Sequence, residues 1–314
     1  MISGYVFENG KLVEADDQMS APVLFCSEPD QIEKMFIQTE FNLGQHTMTS
    51  MLDAGELPRI ESRGGDKIVI ICKHPLPVTV SEKNIEFHVI SLGAVIYGDR
   101  LLFICDEKIP MKTLFTPMHM ENIRDVLLNM LHRTTLHFHE HLRGISLGMD
   151  QKEEEVIETA STELLMELFS VAKHMTYYVS ALNGNHSLIE RIYQKTETLG
   201  FNEQQKEILD DIRLDSAQCC QAAQITTSIM TKMTDARIAL MGNNVSVLMK
   251  RLTLISLGMM PLNLIAGIGG MSEFTAFSEN YLHLPMGTAY LVLFAFLGIV
   301  SCVTFKILQK MRLL

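Results

Sequence analysis

No residue from Leu252 to Ser272 carries a charge, and none does from Asn280 to Phe305. An α-helix needs about 20 predominantly apolar residues to cross a bilayer, so each run is long enough to span one. Two such lengths in tandem are rare as core helices of a soluble fold. They divide the chain into a long polar part and a membrane part. Lys250 and Arg251 precede the first run, Lys306, Lys310 and Arg312 follow the second, and the connecting stretch SEFTAFSENYLHLP has no Lys or Arg. The excess of basic residues on the cytoplasmic side of spans predicts both ends of the chain inside and the short acidic connection outside.

The part before Leu252 holds most of the acid, and the whole chain of 314 residues has a formal charge of −11. That balance argues against nucleic acid as a partner, since phosphate neutralisation needs clustered Lys and Arg. The six cysteines form no CxxC pair, which argues against a structural zinc site and fits a reducing compartment. No GxxxxGK[ST], GxSxG or HExxH motif occurs, so the chain is not expected to be an enzyme and needs no covalently bound cofactor.

Over the first ~110 residues, short runs rich in Val, Ile and Phe (MISGYVF, APVLFC, KIVIICK, IEFHVISLGAVIY, RLLFICD) read as strands. EPDQIEKMFIQTEFN and HTMTSMLDAG read as helices, the first capped by Asp30 or Ser27, and Gly98-Asp99 as a hairpin turn. After Pro117 the periodicity is helical. Helices are expected near 119–147, 151–182 and 186–198, broken at Gly148 and at ALNGNHS. From Asn202 to Met260 no proline intervenes. One helix of about 87 Å could run from there into the membrane.

These expectations give an α+β domain at 1–118, a helical layer at 119–201, a stalk helix at 202–251 and a first span at 252–272. An outer loop follows at 273–284, a second span at 285–305 and a basic tail at 306–314.

Alternating steps of three and four residues from Ser246 meet Met249, Thr253, Ser256, Met260, Asn263, Gly267 and Gly270. Each is small, polar or a thioether, while the positions between are mostly large aliphatics. Such a stripe suits helix–helix packing or a water-filled path. A two-span chain can enclose water only as an oligomer, and an amide at mid-membrane, Asn263, favours the path because it is costly without a partner.

The stretch MKRLTLISLGMMPLNLIAGIGGMSEF resembles the stalk end and first span of the CorA family of divalent-cation channels. The matching steps are Met260-Pro261-Leu262-Asn263 and Ile265-Ala266-Gly267-Ile268-Gly269-Gly270-Met271-Ser272. The resemblance implies a homopentamer with a cytoplasmic α/β sandwich funnel, five first spans around a pore, and lipid as the other partner, in a bacterial inner membrane. It implies a pore line of Ser246, Met249, Leu252, Thr253, Ser256, Met260, Asn263, Gly267 and Gly270. Met249, Leu252 and Met260 would be apolar collars of the kind that gate by dewetting. Gly270, Met271 and Ser272 would form the selectivity filter.

The family's signature reads Gly-Met-Asn where this chain has Gly-Met-Ser, and its Tyr stands where this chain has Gly269. Mg²⁺ sheds water reluctantly, so a filter for it is expected to hold the hydrated ion through polar oxygens. A ring of serines is wider than one of asparagines, and its preference looser. Mg²⁺, with Co²⁺ and Ni²⁺, is therefore the leading cargo. Zn²⁺, with or without proton coupling as in a ZntB-like branch, is the first alternative. A non-conducting membrane-anchored sensor or adaptor is the second. Glu273 and Glu279 in the outer loop would attract any cation.

In the family, acids between subunits bind Mg²⁺ and hold the channel closed. Asp210 and Asp211 fall roughly where one such acid would lie. In LHFHEHLRG, His137 and His141 share a helix face at i, i+4, a spacing that can ligate zinc; a solvated face is the competing reading.

Overall fold

Alternation with period two decides the first unit. In strand β3 (Val23–Ser27), Val23 and Phe25 enter one buried cluster while Leu24 and Cys26 enter another. Strands β5 (Lys67–Pro75), β8 (Val89–Tyr97) and β9 (Arg100–Cys105) divide their side chains the same way, and strands covered on both faces read as continuous apolar runs. With β1 (Ile2–Glu8), β2 (Lys11–Glu14) and β4 (Arg59–Arg63) they build a seven-stranded sheet of order β2-β1-β3-β9-β8-β5-β4. Among the described strands only β3 and β9 pair in parallel. The short strands β6 (Thr79–Val80) and β7 (Ile85–Glu86) pair with each other. Tyr97 pairs with Arg100, so the Gly98-Asp99 turn closes the expected hairpin.

The computed structural model describes residues 1–63, 67–80, 85–158, 162–271, 276 and 285–310. They fall into two compact units, Met1–Asp235 and Ala236–Leu314. In the first, helices α1 (Gln31–Glu40) and α2 (Gln45–Leu52) cover one face of the sheet through Ile37, Met48 and Met51. Asp30 caps α1 in a reciprocal capping box with Glu33, as its sequence position predicts. A short helix α3 (Met111–Leu114) leads to α4 (Ile123–Glu158), which covers the other face with α5 (Thr162–Gln194) and the start of α7 (Glu203–Gly269). The single turn α6 (Thr196–Leu199) joins α5 to α7. Farther along, α4, α5 and α7 pack on one another through Phe138, Leu142, Met175, Tyr178, Cys219 and Ala223. Helix α8 (Met286–Lys310) belongs to the second unit.

Two expected helix breaks are corrected. Helix α4 runs through Gly148, and α5 runs through the whole of ALNGNHS. A glycine inside a helix costs only about 1 kcal/mol against alanine, less than tertiary packing returns. The Asn and Gly of ALNGNHS serve docking rather than turning. Asn185 Oδ1 accepts from the Lys73 backbone N–H at 2.8 Å, and its Nδ2 donates to the Lys73 carbonyl at 2.8 Å. Strand β4 stops pairing at Arg59↔Ile71, so this amide continues the ladder of β5 where β4 has ended. Each of these buried backbone groups would cost about 1–3 kcal/mol if left unmet. A side chain at Gly184 would place its Cβ 2.7 Å from the Pro58 ring, so only glycine lets α5 come this close. Strands β2 and β4, absent from the expected set, are short and carry charged residues in place of an apolar run. Free buried thiols at Cys72 and Cys105 behave as the small hydrophobes expected of them.

Candidate functional site

Helix α7 continues through Pro261 to Gly269 without interruption. Proline removes one backbone donor, a defect tolerated in membrane helices. In the second unit, the half-buried or buried positions of α7 within the first apolar run are Leu254, Gly258, Leu262, Ile265 and Gly269. Those of α8 are Ala289, Tyr290, Leu293, Leu297, Val300 and Thr304. Apart from the adjacent Ala289 and Tyr290, both sets follow three- and four-residue steps, the signature of one helix lying along another. The closest approach is at Gly269, where an added Cβ would sit 2.3 Å from Leu293 Cδ2.

The small and polar stripe lies elsewhere. Ser246, Met249, Leu252, Thr253, Ser256, Met260, Asn263, Gly267 and Gly270 are all exposed. At about 100° per residue their stripe and the α8-facing stripe are centred roughly 180° apart on the helix. The chain's own second span therefore leaves the small-residue face uncovered. The hydroxyls there are partly satisfied within the helix, Ser246 Oγ donating to Gly242 O at 2.9 Å and Thr253 Oγ1 to Met249 O at 2.9 Å. Asn263 has no hydrogen-bond partner among the described residues. Of the expected filter, Gly270 and Met271 are exposed just past the end of α7. Ser272, Glu273 and Glu279 lie outside the described residues.

Asp210 and Asp211 are exposed on α7 in the first unit. Asp210 is held by Arg213 at 2.7 Å, and the same guanidinium lies 3.5 Å from Glu190 and 4.7 Å over the Tyr193 ring. The acid is thus engaged in a surface ion pair on its own helix, and no second acid joins it in a metal-holding group among the described residues.

His137 and His141 share a face of α4 with ring centroids 4.5 Å apart, and the structure adds a third imidazole, His74 of β5, 5.3 Å from His137. No sequence signal links position 74 to this pair, because the contact crosses from strand to helix. His74 Nδ1 lies 3.0 Å from Thr134 Oγ1 and His141 Nδ1 lies 2.8 Å from the hydroxyl of the buried Tyr178. Among the described residues no three His, Cys, Asp or Glu side chains converge as metal ligands do.

Burial is the main cause that lowers the proton affinity of all three imidazoles. The neighbouring His137 and Arg133 lower it further at His74, while Glu140 opposes the shift at His137 and His141. His74 falls to about 3 and His141 to about 4. The unfolded chain takes up protons first as pH falls, so burying these neutral imidazoles costs the first unit nothing above about pH 6.5. Below that the buried His74 should cost it about 1.4 kcal/mol per pH unit until its folded value is passed. Denaturant unfolding of the full chain between pH 7 and 4.5 should show this slope, and His74→Asn should lessen it. An equal slope in both chains would remove His74 from the account.

Comparisons with known proteins follow the same architecture. A family model described as "CorA-like Mg2+ transporter protein" matches residues 24–310. No curated protein sequence matches. The complete structure of the CorA magnesium transporter from Methanocaldococcus jannaschii is similar at TM-score 0.75 and 19% identity, covering 98% of this chain and 96% of that one. The full-length CmaX protein is similar at TM-score 0.67 and 13% identity, covering 99% and 97%. The ZntB cytoplasmic domain from Vibrio parahaemolyticus is similar at TM-score 0.59 and 9% identity, covering 77% of this chain and 98% of that one. At these identities the solved structures speak to the fold, and the family model speaks to membership.

Proposed function

Because the chain belongs to the CorA-like Mg²⁺ transporter family, and is thereby a divalent-cation transporter with two C-terminal spans rather than an enzyme, we propose that it conducts Mg²⁺ through a homopentameric pore in a bacterial inner membrane. The reading gives the uncovered stripe of α7 to the pore and both chain ends to the cytoplasm. One observation carries it: Asn263, in the middle of an apolar run, is exposed on the face opposite α8 with no partner among the described residues. A bare amide in hydrocarbon costs about 4–8 kcal/mol, so lipid is excluded as its neighbour and water or another copy remains. A ring of copies around an aqueous axis supplies both.

Within this reading the ion keeps its first water shell, which Mg²⁺ surrenders reluctantly, and the ring of Asn263 amides and Ser256 hydroxyls meets that shell. Met249, Leu252 and Met260 stand on the same face as apolar collars that close by dewetting. Gly270, Met271 and Ser272 form the outer mouth, with Glu273 and Glu279 raising the local cation concentration.

Proteoliposomes loaded with ion-sensitive dyes test the proposal directly. Mg²⁺ entry is expected, with Co²⁺ and Ni²⁺ admitted less selectively because Ser272 offers a wider ring. Zn²⁺ entry without Mg²⁺ entry would overturn the choice of ion. Absence of flux for every divalent ion would overturn the pore.

A further inference from the structure

Three cations of the second unit border its apolar runs. Lys250 and Arg251 stand at the start of the first apolar run on α7 and Lys306 at the end of the second on α8, and all three are exposed. None of them is in an ion pair among the described residues. The contact between Gly269 and Leu293 fixes the level of the two helices relative to each other. Measured from that contact at 1.5 Å per residue, Arg251 lies about 27 Å and Lys306 about 20 Å along antiparallel helices. The three cations therefore share one end of the hairpin, within a band of roughly 9 Å in depth. The acidic residues of the same unit, Glu273 and Glu279, come after Gly269 in sequence.

Apolar side chains stand beside the cations. Ile255, one turn on from Arg251, is 45% exposed on α7, and Val303 is 50% exposed on α8. Cations bordering exposed aliphatics suit a molecule with a phosphate at one end and hydrocarbon at the other. A free phosphate would use the cations and leave the aliphatics in water.

We propose that this end of the hairpin binds anionic phospholipid headgroups, with phosphate against Lys250, Arg251 and Lys306 and acyl chains against Ile255 and Val303. The surface rests on the two spans and is independent of which ion is carried. Cations near an anionic membrane surface each contribute about fivefold in affinity, and the contribution is screened by salt.

The test is competitive lipid retention. The full chain in neutral detergent is offered equal amounts of phosphatidylglycerol and phosphatidylcholine, and retained lipid is measured by native mass spectrometry. Preference for phosphatidylglycerol should exceed tenfold and fall by roughly fivefold for each of K250Q, R251Q and K306Q. The charge-preserving pair K250R/K306R should keep it, which guards against loss through misfolding. Inorganic phosphate at millimolar concentration should leave the retained lipid unchanged. Equal retention of the two lipids, a preference that survives the triple Gln variant, or displacement by inorganic phosphate would each overturn the assignment.

Discussion

Asn263→Leu is expected to lower divalent-cation flux by about 5- to 150-fold while leaving the oligomer intact. The amide is exposed, lacks a partner among the described residues, and stands on the face that α8 does not cover. In a ring of copies its removal takes away one polar contact per subunit from the hydrated ion. A lost polar contact is worth about 1–3 kcal/mol in proteins, which raises the transfer barrier by the factor stated. Leucine also adds apolar surface between Met260 and Gly267, extending the dewetting collar outward. Asn263→Gln, which keeps the amide, should retain most of the flux. Dye-reported Mg²⁺ entry into proteoliposomes reads the effect, and size-exclusion chromatography of the same preparation reads assembly. An assembled Asn263→Leu protein with parental flux would take Asn263 off the pore line.

The second large effect is expected at the helix hairpin. Gly269→Tyr restores the residue that the family's pattern carries at this place, yet it should destabilise this chain by about 1–3 kcal/mol, the usual cost of overpacking. The reason is local: Leu293 Cδ2 already occupies the space of a Cβ at position 269. Leu293→Ala in the same chain should return part of the loss, because the two side chains compete for one volume. Gly267→Ala is the control, since its Cβ would meet nothing within 4 Å among the described residues. Thermal retention of the oligomer in detergent ranks the four proteins. Parental stability in Gly269→Tyr would mean that the two helices do not meet as described.

The sequence already carried the strands of the sheet core, because β3, β5, β8 and β9 are uninterrupted β-branched and aromatic runs. It also carried the cap at Asp30 and the small-residue stripe, both of which depend on near neighbours along the chain. What escaped depends on distant partners. ALNGNHS is a turn by composition, and only Lys73 and Pro58, far away in sequence, make it a helix. Gly148 likewise reads as a break until the packing of α4 is known. The side of α7 that faces α8 follows from the Gly269–Leu293 contact, which no spacing rule contains. His74 joins His137 through three dimensions alone.

The Asn185 bridge has a consequence for the life of the protein outside its folded core. A β-sheet edge with free backbone groups is a template for pairing with another chain, and proteins that work as several copies side by side are crowded with such templates. Here the outer strands are β2, with the sequence KLVE, and β4, with RIESR, both short and charged. Where β4 ends early and β5 would present a bare edge, Asn185 occupies the Lys73 backbone with its own amide. Neighbouring copies therefore have little open sheet edge to zip onto, and aggregation through strands is blocked while the helices stay free to associate.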